Sequence, residues 1–353
     1  MLVCCLGGPC ACKAIDPPAR GPGLVVEIPN STATFPHPSS YLRASTLWND
    51  MMMSRGAAAA VAGVAARRGD ACAAFRRSKS ARSLPIVAAP IERLYDTAEG
   101  AALLRRCHEQ LEQQGFVAIR GFLSEDAAGA LLDEARALER DGNGSEGFFS
   151  TEEHGIFLTA DDAVASCQVA GAAAQHPRRI QQKSSKHLFA ADEVAENSLL
   201  RALYEWPPLL EFVRAALDRP NLHLSADPMG RFYLNFFRPG DQLGWHFDNS
   251  EFSVSLILQP SIRGGAFEFA PRSRGAVEAM QAFAPEDLPE MRSPPLAMGD
   301  LYLFHGRDAL HRVAPVEEGV RINAILTFNS DPDEVMNEYT REKFFGRRLD
   351  GAK

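Results

Sequence analysis

From Arg231 to about residue 330 the chain is written in short apolar or alternating runs: RFYLNFF, QLGWHFD, FSVSLILQ, GGAFEFAP, PLAMGDLYLF, HRVAPV and VRINAILTF, punctuated by Gly and Pro. No helical crossover pattern sits between them, which argues against βαβ units and for an antiparallel sandwich or barrel. The stretch from about Gly275 to Pro295 is polar and proline-containing and reads as an insertion. The expectation is a jelly-roll-like β core over residues 231–330.

Upstream the texture is different. Folding signals begin near Ile91. "TAEGAALLRRCHEQLEQQ" has a cap candidate in Thr97 and apolar residues at helical spacing, the run FVAI follows as a short strand, and "SEDAAGALLDEARALERDG" is a second capped amphipathic helix ending near Gly142. Another helix is expected across Ser198 to Leu217. The fold class is therefore α+β: a mainly helical part over 91–230 leaning on the jelly-roll core, with 336–353 as a C-terminal tail.

The first ninety residues read as leader. From Met51 the stretch MMMSRGAAAAVAGVAARRGDACAAFRRSKSARSLP is basic and rich in Ala and Ser, with Asp70 as its one acid. That is the composition of an organelle transit peptide, plastid or mitochondrial, or else of a disordered leader with no address. Met51 to Met53 also offer an alternative translation start. Four of the seven cysteines, Cys4, Cys5, Cys10 and Cys12, crowd into the first dozen residues, with no Cys or His pair at zinc-finger spacing nearby, and none occurs after Cys167. A disulfide scaffold is not expected. A net charge of −8 gives no general attraction to nucleic acid or to an anionic membrane, and no apolar run is long enough to span a bilayer. Neither a nucleic-acid nor a membrane partner is expected.

Within the β region, "GWHFDNSE" holds His246 and Asp248 two residues apart. On an extended strand they share a face while Phe247 points to the other side, which is how one strand can hold two metal ligands. Two later histidines qualify by position as a third ligand, His305 in LFHGRDAL and His311 in ALHRVAPV. Arg321 opens the strand VRINAILTF and shares a face with Asn323, Ile325 and Thr327. An arginine pointing inward there is costly without an anionic partner, so it either faces solvent or binds a carboxylate.

The ordered set of His246, Asp248, His311 and Arg321 resembles the iron(II)/2-oxoglutarate-dependent dioxygenases, and the neighbouring RFYLNFFRPGDQLGWHFD, GGAFEFAP and GDLYLFHGRDALHRVAPV are similar to strands and turns of that superfamily. Upstream, LEQQGFVAIRGFLSEDAAGALLDEA resembles the amino-terminal part of its phytanoyl-hydroxylase-like members. The resemblance covers roughly residues 91–335.

It implies a double-stranded β-helix in which His246, Asp248 and His311 hold Fe(II), and in which 2-oxoglutarate and O2 fill the open positions. Arg321 would grip the far carboxylate of 2-oxoglutarate, with Arg312 and Arg307 as substitutes if the strand register slips by one. Asn235, on the face of Tyr233 and Phe237, is a further candidate for 2-oxoglutarate, or a structural amide. The implied reaction is hydroxylation of an unactivated C–H of a small polar metabolite with release of succinate and CO2, with ascorbate as a reductant. Desaturation and ring closure are open to the same chemistry, and within this class a protein substrate is open as well. Halogenases of the superfamily lack the carboxylate that Asp248 supplies here. A metal-dependent hydrolase or isomerase on a similar barrel, or a non-catalytic binding module, are the alternatives.

Trp245 and Phe247 read as core rather than a substrate platform, Gly264 and Gly265 as a turn, Asn249 and Glu251 as contacts to a polar substrate or as rim residues, and Arg178, Arg179 and Lys183 as a solvated charge run or a means of steering an anionic substrate.

Overall fold

The computed structural model describes residues 26–27, 97–142, 146–158 and 174–348. The alternative start, every cysteine except Cys107 and the residues that read as leader lie outside the described residues, apart from Val26–Glu27, which form a strand paired with Ile119 and Arg120 and so depart from the disordered-leader reading.

A two-residue strand β1 (Val26–Glu27) precedes helix α1 (Ala98–Gln114). The Thr97 hydroxyl caps α1 by accepting from the Gly100 N–H, and Gly115 ends it at φ +68°, where a side chain would be strained. Its inner stripe of Leu103, Cys107 and Leu111, four residues apart, is buried, as the amphipathic spacing requires. Burial pushes the Cys107 thiol up to about 12, so this cysteine is an inert core residue. Strand β2 (Phe116–Arg120) follows, then α2 (Glu125–Asp141), capped by Ser124.

Next come β3 (Phe148–Gly155), β4 (Gln181–Ala190), α3 (Leu199–Tyr204), α4 (Pro207–Ala216) and β5 (His223–Leu224). The helix expected from Ser198 to Leu217 is thus two helices. Pro207 disfavours helical backbone at Trp206, and the second helix restarts with the proline in its first turn, where no N–H is needed. The part of the chain before residue 231 is also less helical than expected, because β3 and β4 supply eighteen residues of strand to the barrel.

The core is β6 (Phe232–Phe237), β7 (Gln242–His246), β8 (Ser253–Gln259), β9 (Arg263–Gly264) and β10 (Phe267–Ala270). After α5 (Arg274–Ala279) come β11 (Leu301–Phe304), β12 (Leu310–Val313), β13 (Val316–Glu318), β14 (Arg321–Leu326) and β15 (Phe328–Asn329). Helix α6 (Glu338–Phe345) closes the described chain, so the folded unit continues beyond residue 335 into what read as a tail.

One wall of the barrel runs β2–β11–β8–β14–β6 and the other β4–β7–β12–β10, with β4 pairing both β6 and β7 to join them. From β6 onward each successive long strand crosses to the opposite wall, which is the winding of a double-stranded β-helix. Two apolar layers follow from it. Helices α1 to α4 cover the outer face of the first wall through a cluster that includes Leu111, Phe122, Phe212, Leu256 and Leu303. Inside, Phe116, Phe267, Phe269, Tyr302 and Phe304 stack as a second cluster, with the Phe116 and Phe269 rings 5.0 Å apart. Among the described residues no helix is long and apolar enough to cross a membrane.

Candidate metal centre

Strands β7 and β12 are antiparallel neighbours, and His311 stands directly opposite His246 in their register. Opposed residues on neighbouring strands present side chains to the same face. The chain past β7 is then pinned from two sides: the Phe247 N–H donates to the Ile156 carbonyl (2.8 Å) and the Asp248 N–H to the Gly306 carbonyl (3.0 Å). The result brings Asp248 Oδ1 to 3.3 Å from His246 Nε2 and 3.4 Å from His311 Nε2. Donor atoms of the three lie within 4.8 Å of one another, the one such cluster among the described residues.

The imidazoles are oriented by their own strands. His246 bonds through Nδ1 to the Gly244 carbonyl and His311 through Nδ1 to the Ala309 carbonyl, each at 2.8 Å. A carbonyl can only accept, so Nδ1 carries the proton in the neutral ring and Nε2 turns a bare lone pair toward Asp248. Burial, then His311, lowers the His246 pKa, favouring that neutral form. Burial alone would raise the Asp248 carboxyl; positive charge on the imidazoles, His311 first, holds it well below the usual carboxylate range, and with both rings neutral a bound cation would take that place. Its other oxygen accepts from the Ser253 hydroxyl. Two neutral imidazoles and one carboxylate on one face are a donor set suited to a divalent transition metal with open positions remaining.

A further set of polar groups backs this arrangement. His154 is fully buried; its Nδ1 donates to the Gly155 carbonyl (2.8 Å) and its Nε2 accepts from the Ser184 hydroxyl (2.6 Å). Ser184 Oγ in turn accepts from the Gly244 N–H (3.0 Å), and Gly244 is the residue whose carbonyl orients His246. Burial, then His246, pulls the His154 pKa down to about 4, consistent with a neutral acceptor.

The three side chains open into a cavity of about 330 Å³. Its lining includes Asn235, Tyr302 and Asn323 from the first wall and Lys186 from β4. Arg321 is 3% exposed and does not itself line the cavity; its guanidinium lies beside Tyr302, which does. Its Nε and one Nη have no hydrogen-bond partner among the described residues, and neither do the buried Asn235 and Asn323 carbonyl oxygens, which face each other across the β6–β14 pairing. Burial lowers the Arg321 pKa and Tyr302 opposes the shift; a guanidinium stays charged regardless.

The alternatives fall elsewhere. Arg312 is paired with Glu268 (2.7 Å) over the Trp245 ring, and Arg307 donates to the Asn249 carbonyl. His305 packs against Phe252 with ring centroids 4.9 Å apart and is outside the triad. Glu251 pairs with Arg219 at the surface, Arg178 reaches Glu278, and neither Arg179 nor Lys183 lines the cavity.

Helix α6 roofs the cavity, and a buried ion pair holds it there. Asp227 Oδ2 accepts from the Met336 N–H (2.9 Å) and Arg341 Nη2 (3.0 Å), while its Oδ1 accepts from the Met229 and Gly230 N–H groups. Asn249, beside the metal motif, donates to Thr340 Oγ1 at 2.8 Å. The sequence reading missed this roof, Lys186, Tyr302 and the His154–Ser184 pair. Lys186 alone carried a signal: in SSKHLFA it shares strand parity with Leu188.

No curated protein matches the sequence. Among solved structures, an oxidoreductase of the 2OG-Fe(II) oxygenase family from Burkholderia pseudomallei is 14% identical, covering 65% of this chain and 92% of its own, at TM-score 0.41. AviO1 from Streptomyces viridochromogenes Tue57 is 17% identical over 66% and 96%, at TM-score 0.44. A Pseudomonas putida prolyl-4-hydroxylase is 14% identical over 63% and 96%, at 0.39. These are likenesses of outline. The model of the family described as Halogenase D matches residues 165–345, which contain the whole triad and Arg321 and make up more than half of the sequence: the chain belongs to the Halogenase D (HalD) family.

Proposed function

We propose that the protein is an Fe(II)- and 2-oxoglutarate-dependent oxygenase that hydroxylates a small molecule. The observation that carries this reading is the pairing of a bare-Nε2 His–Asp–His face with a buried, partly unpartnered arginine behind the same cavity. An orphaned guanidinium in a β-barrel is expensive, and a bidentate carboxylate is the partner its fork is shaped for. A hydrolase with a purely structural Arg321 would leave those donors unexplained.

In this reading His246, Asp248 and His311 hold the metal, Arg321 with Tyr302 receives the far carboxylate of 2-oxoglutarate, and the Asn235 and Asn323 amides lie beside it. Iron bound with 2-oxoglutarate and O2 supplies the oxidising chemistry, succinate and CO2 being the co-products. The chain's own contribution is orientation and exclusion of water: the Gly244 and Ala309 carbonyls aim the imidazoles, Ser253 fixes the carboxylate, and the α6 roof limits solvent access.

The family's description raises halogenation as a second reading. Asp248 favours hydroxylation, because a third protein ligand takes the position a halide would need.

The test is anaerobic. Protein with ferrous iron and 2-oxoglutarate is expected to show the visible charge-transfer band of a chelated keto acid, lost in His246→Ala and weakened in Arg321→Ala. No band from the iron-loaded wild type would overturn the oxygenase reading. A band that shifts on titration with chloride would move the assignment to halogenation.

A further inference from the structure

Lys186 is 4% exposed, yet it lines the cavity that holds the triad. Its Nζ lies 5.6 Å from the centroid of Tyr233 and 5.3 Å from that of Phe344, between the barrel wall and the roof helix. No hydrogen bond or ion pair to this amine is found among the described residues; burial pulls its pKa down to about 7, and the carboxylate that opposes the shift is Asp248, which the triad already employs. The other acid buried at the cavity, Asp227, is taken by Arg341. Two aromatic faces offset only part of the desolvation cost of a buried cation.

Charge bookkeeping makes the lysine conspicuous. A divalent metal, one aspartate, dianionic 2-oxoglutarate and Arg321 sum to zero. Glu334 also lines the cavity but is exposed to solvent, so among the buried groups Lys186 is left over, and the buried part of the filled cavity has room for one further negative charge.

We propose that Lys186 is a substrate-binding residue, and that the substrate carries a carboxylate which this ammonium anchors between Tyr233 and Phe344. The inference rests on the oxygenase reading above and deepens it by naming the substrate's class. A monoanion fits the charge count better than a phosphate, whose dianion would need a second cation. The surroundings of the lysine, Leu158, Leu243, Tyr233, Phe344 and Met336, are apolar, so the part of the substrate next to its carboxylate is apolar as well. Held at that end, the molecule spans from β4 toward the triad, and the distance between its carboxylate and its reacting carbon is set by where Lys186 sits.

The test uses hexanoate, hexanamide and hexyl phosphate, each at millimolar concentration, with the anaerobic Fe(II)- and 2-oxoglutarate-loaded full chain, reading thermal midpoint and binding isotherm. Hexanoate is expected to raise the midpoint and to bind at least about tenfold tighter than its amide, the loss of one charge-assisted hydrogen bond. Lys186→Met should abolish that preference and Lys186→Arg should keep most of it. Lys186→Met is also expected to unfold at a higher temperature than wild type when no probe is present, since it removes a buried, unpartnered polar amine. No response to hexanoate, equal response to acid and amide, stronger binding of the phosphate, or an acid preference that survives in Lys186→Met would each overturn the assignment. The keto-acid band of the wild type, recorded first, separates the two failures. A normal band with no acid preference sinks the lysine assignment alone, and no band sinks the oxygenase reading with it.

Discussion

At the scale of single residues, the site is built by carbonyls and hydroxyls that leave the metal-facing atoms no choice of direction. Ser184 is the most informative of them. Its hydroxyl donates to His154 Nε2 and accepts from the Gly244 N–H, and so fixes the peptide whose carbonyl orients His246. Ser184→Ala leaves both partners buried and unsatisfied, at a stability cost of about 1–3 kcal/mol. Loss of an outer hydrogen-bonding partner of a ligand weakens metal binding by roughly 10- to 100-fold. The expected outcome is a folded protein whose Fe(II) affinity, measured by competition with a chromogenic chelator, falls in that range, with Ser184→Thr restoring it. Unchanged affinity would reduce Ser184 to packing. Gly306 is a second constraint of this kind. A Cβ there would sit 3.0 Å from the Asp248 Cβ and closer still to its carboxylate, so the close approach of two loops at the metal motif requires glycine.

At the scale of elements, α6 and the Asp227 loop behave as one unit. Burial alone would raise the Asp227 carboxyl, but hydrogen bonds from Gly230, Met336, Arg341 and Met229 outweigh it and leave its pKa below the ordinary 3.8. A carboxylate depressed on folding contributes stability that is fully present above its unfolded pKa, about 3.9, and is lost as pH falls through the folded value. Arg341→Ala breaks a buried pair and strands its partner, at a cost of about 3–5 kcal/mol. Asp227→Asn should destabilise at neutral pH and flatten the acid limb of the stability profile below about pH 4. Chemical denaturation across pH checks both. An acid limb in Asp227→Asn identical to that of wild type would mean that the roof is held by the apolar contacts of Phe344 and Phe345 alone. The roof was also the element least legible in the sequence. NEYTREKFFG is mostly polar, and its two phenylalanines mark a buried face only once β3 and β4 are there to receive them.

At the scale of the whole molecule, what could be read in advance was whatever depends on local period. The β core declared itself because Gly and Pro bound its strands, and HFD offered two candidate ligands because an extended backbone alternates faces. The partner of His246 was open to two histidines until the β7–β12 register put His311 across from it. Strand β3 had no such local signal. FFSTEEHG lacks an apolar alternation, and it is a strand because β4 pairs along its full length. The same dependence on long-range pairing would make a bound metal a fastener for the fold, since the candidate ligands His246 and His311 stand on two strands 65 positions apart in sequence that meet only in the folded state. Binding to the folded chain alone stabilises by about 2.7 kcal/mol at a hundredfold excess over the dissociation constant. For a domain of this size each kcal/mol raises the midpoint by ~2–4 °C, so anaerobic Fe(II) or Mn(II) should raise it by roughly 5–11 °C. Scanning calorimetry with metal, with metal plus chelator, and with His311→Ala checks this. The rise should vanish in the last two, and a rise that persists in His311→Ala would place the metal elsewhere in the molecule.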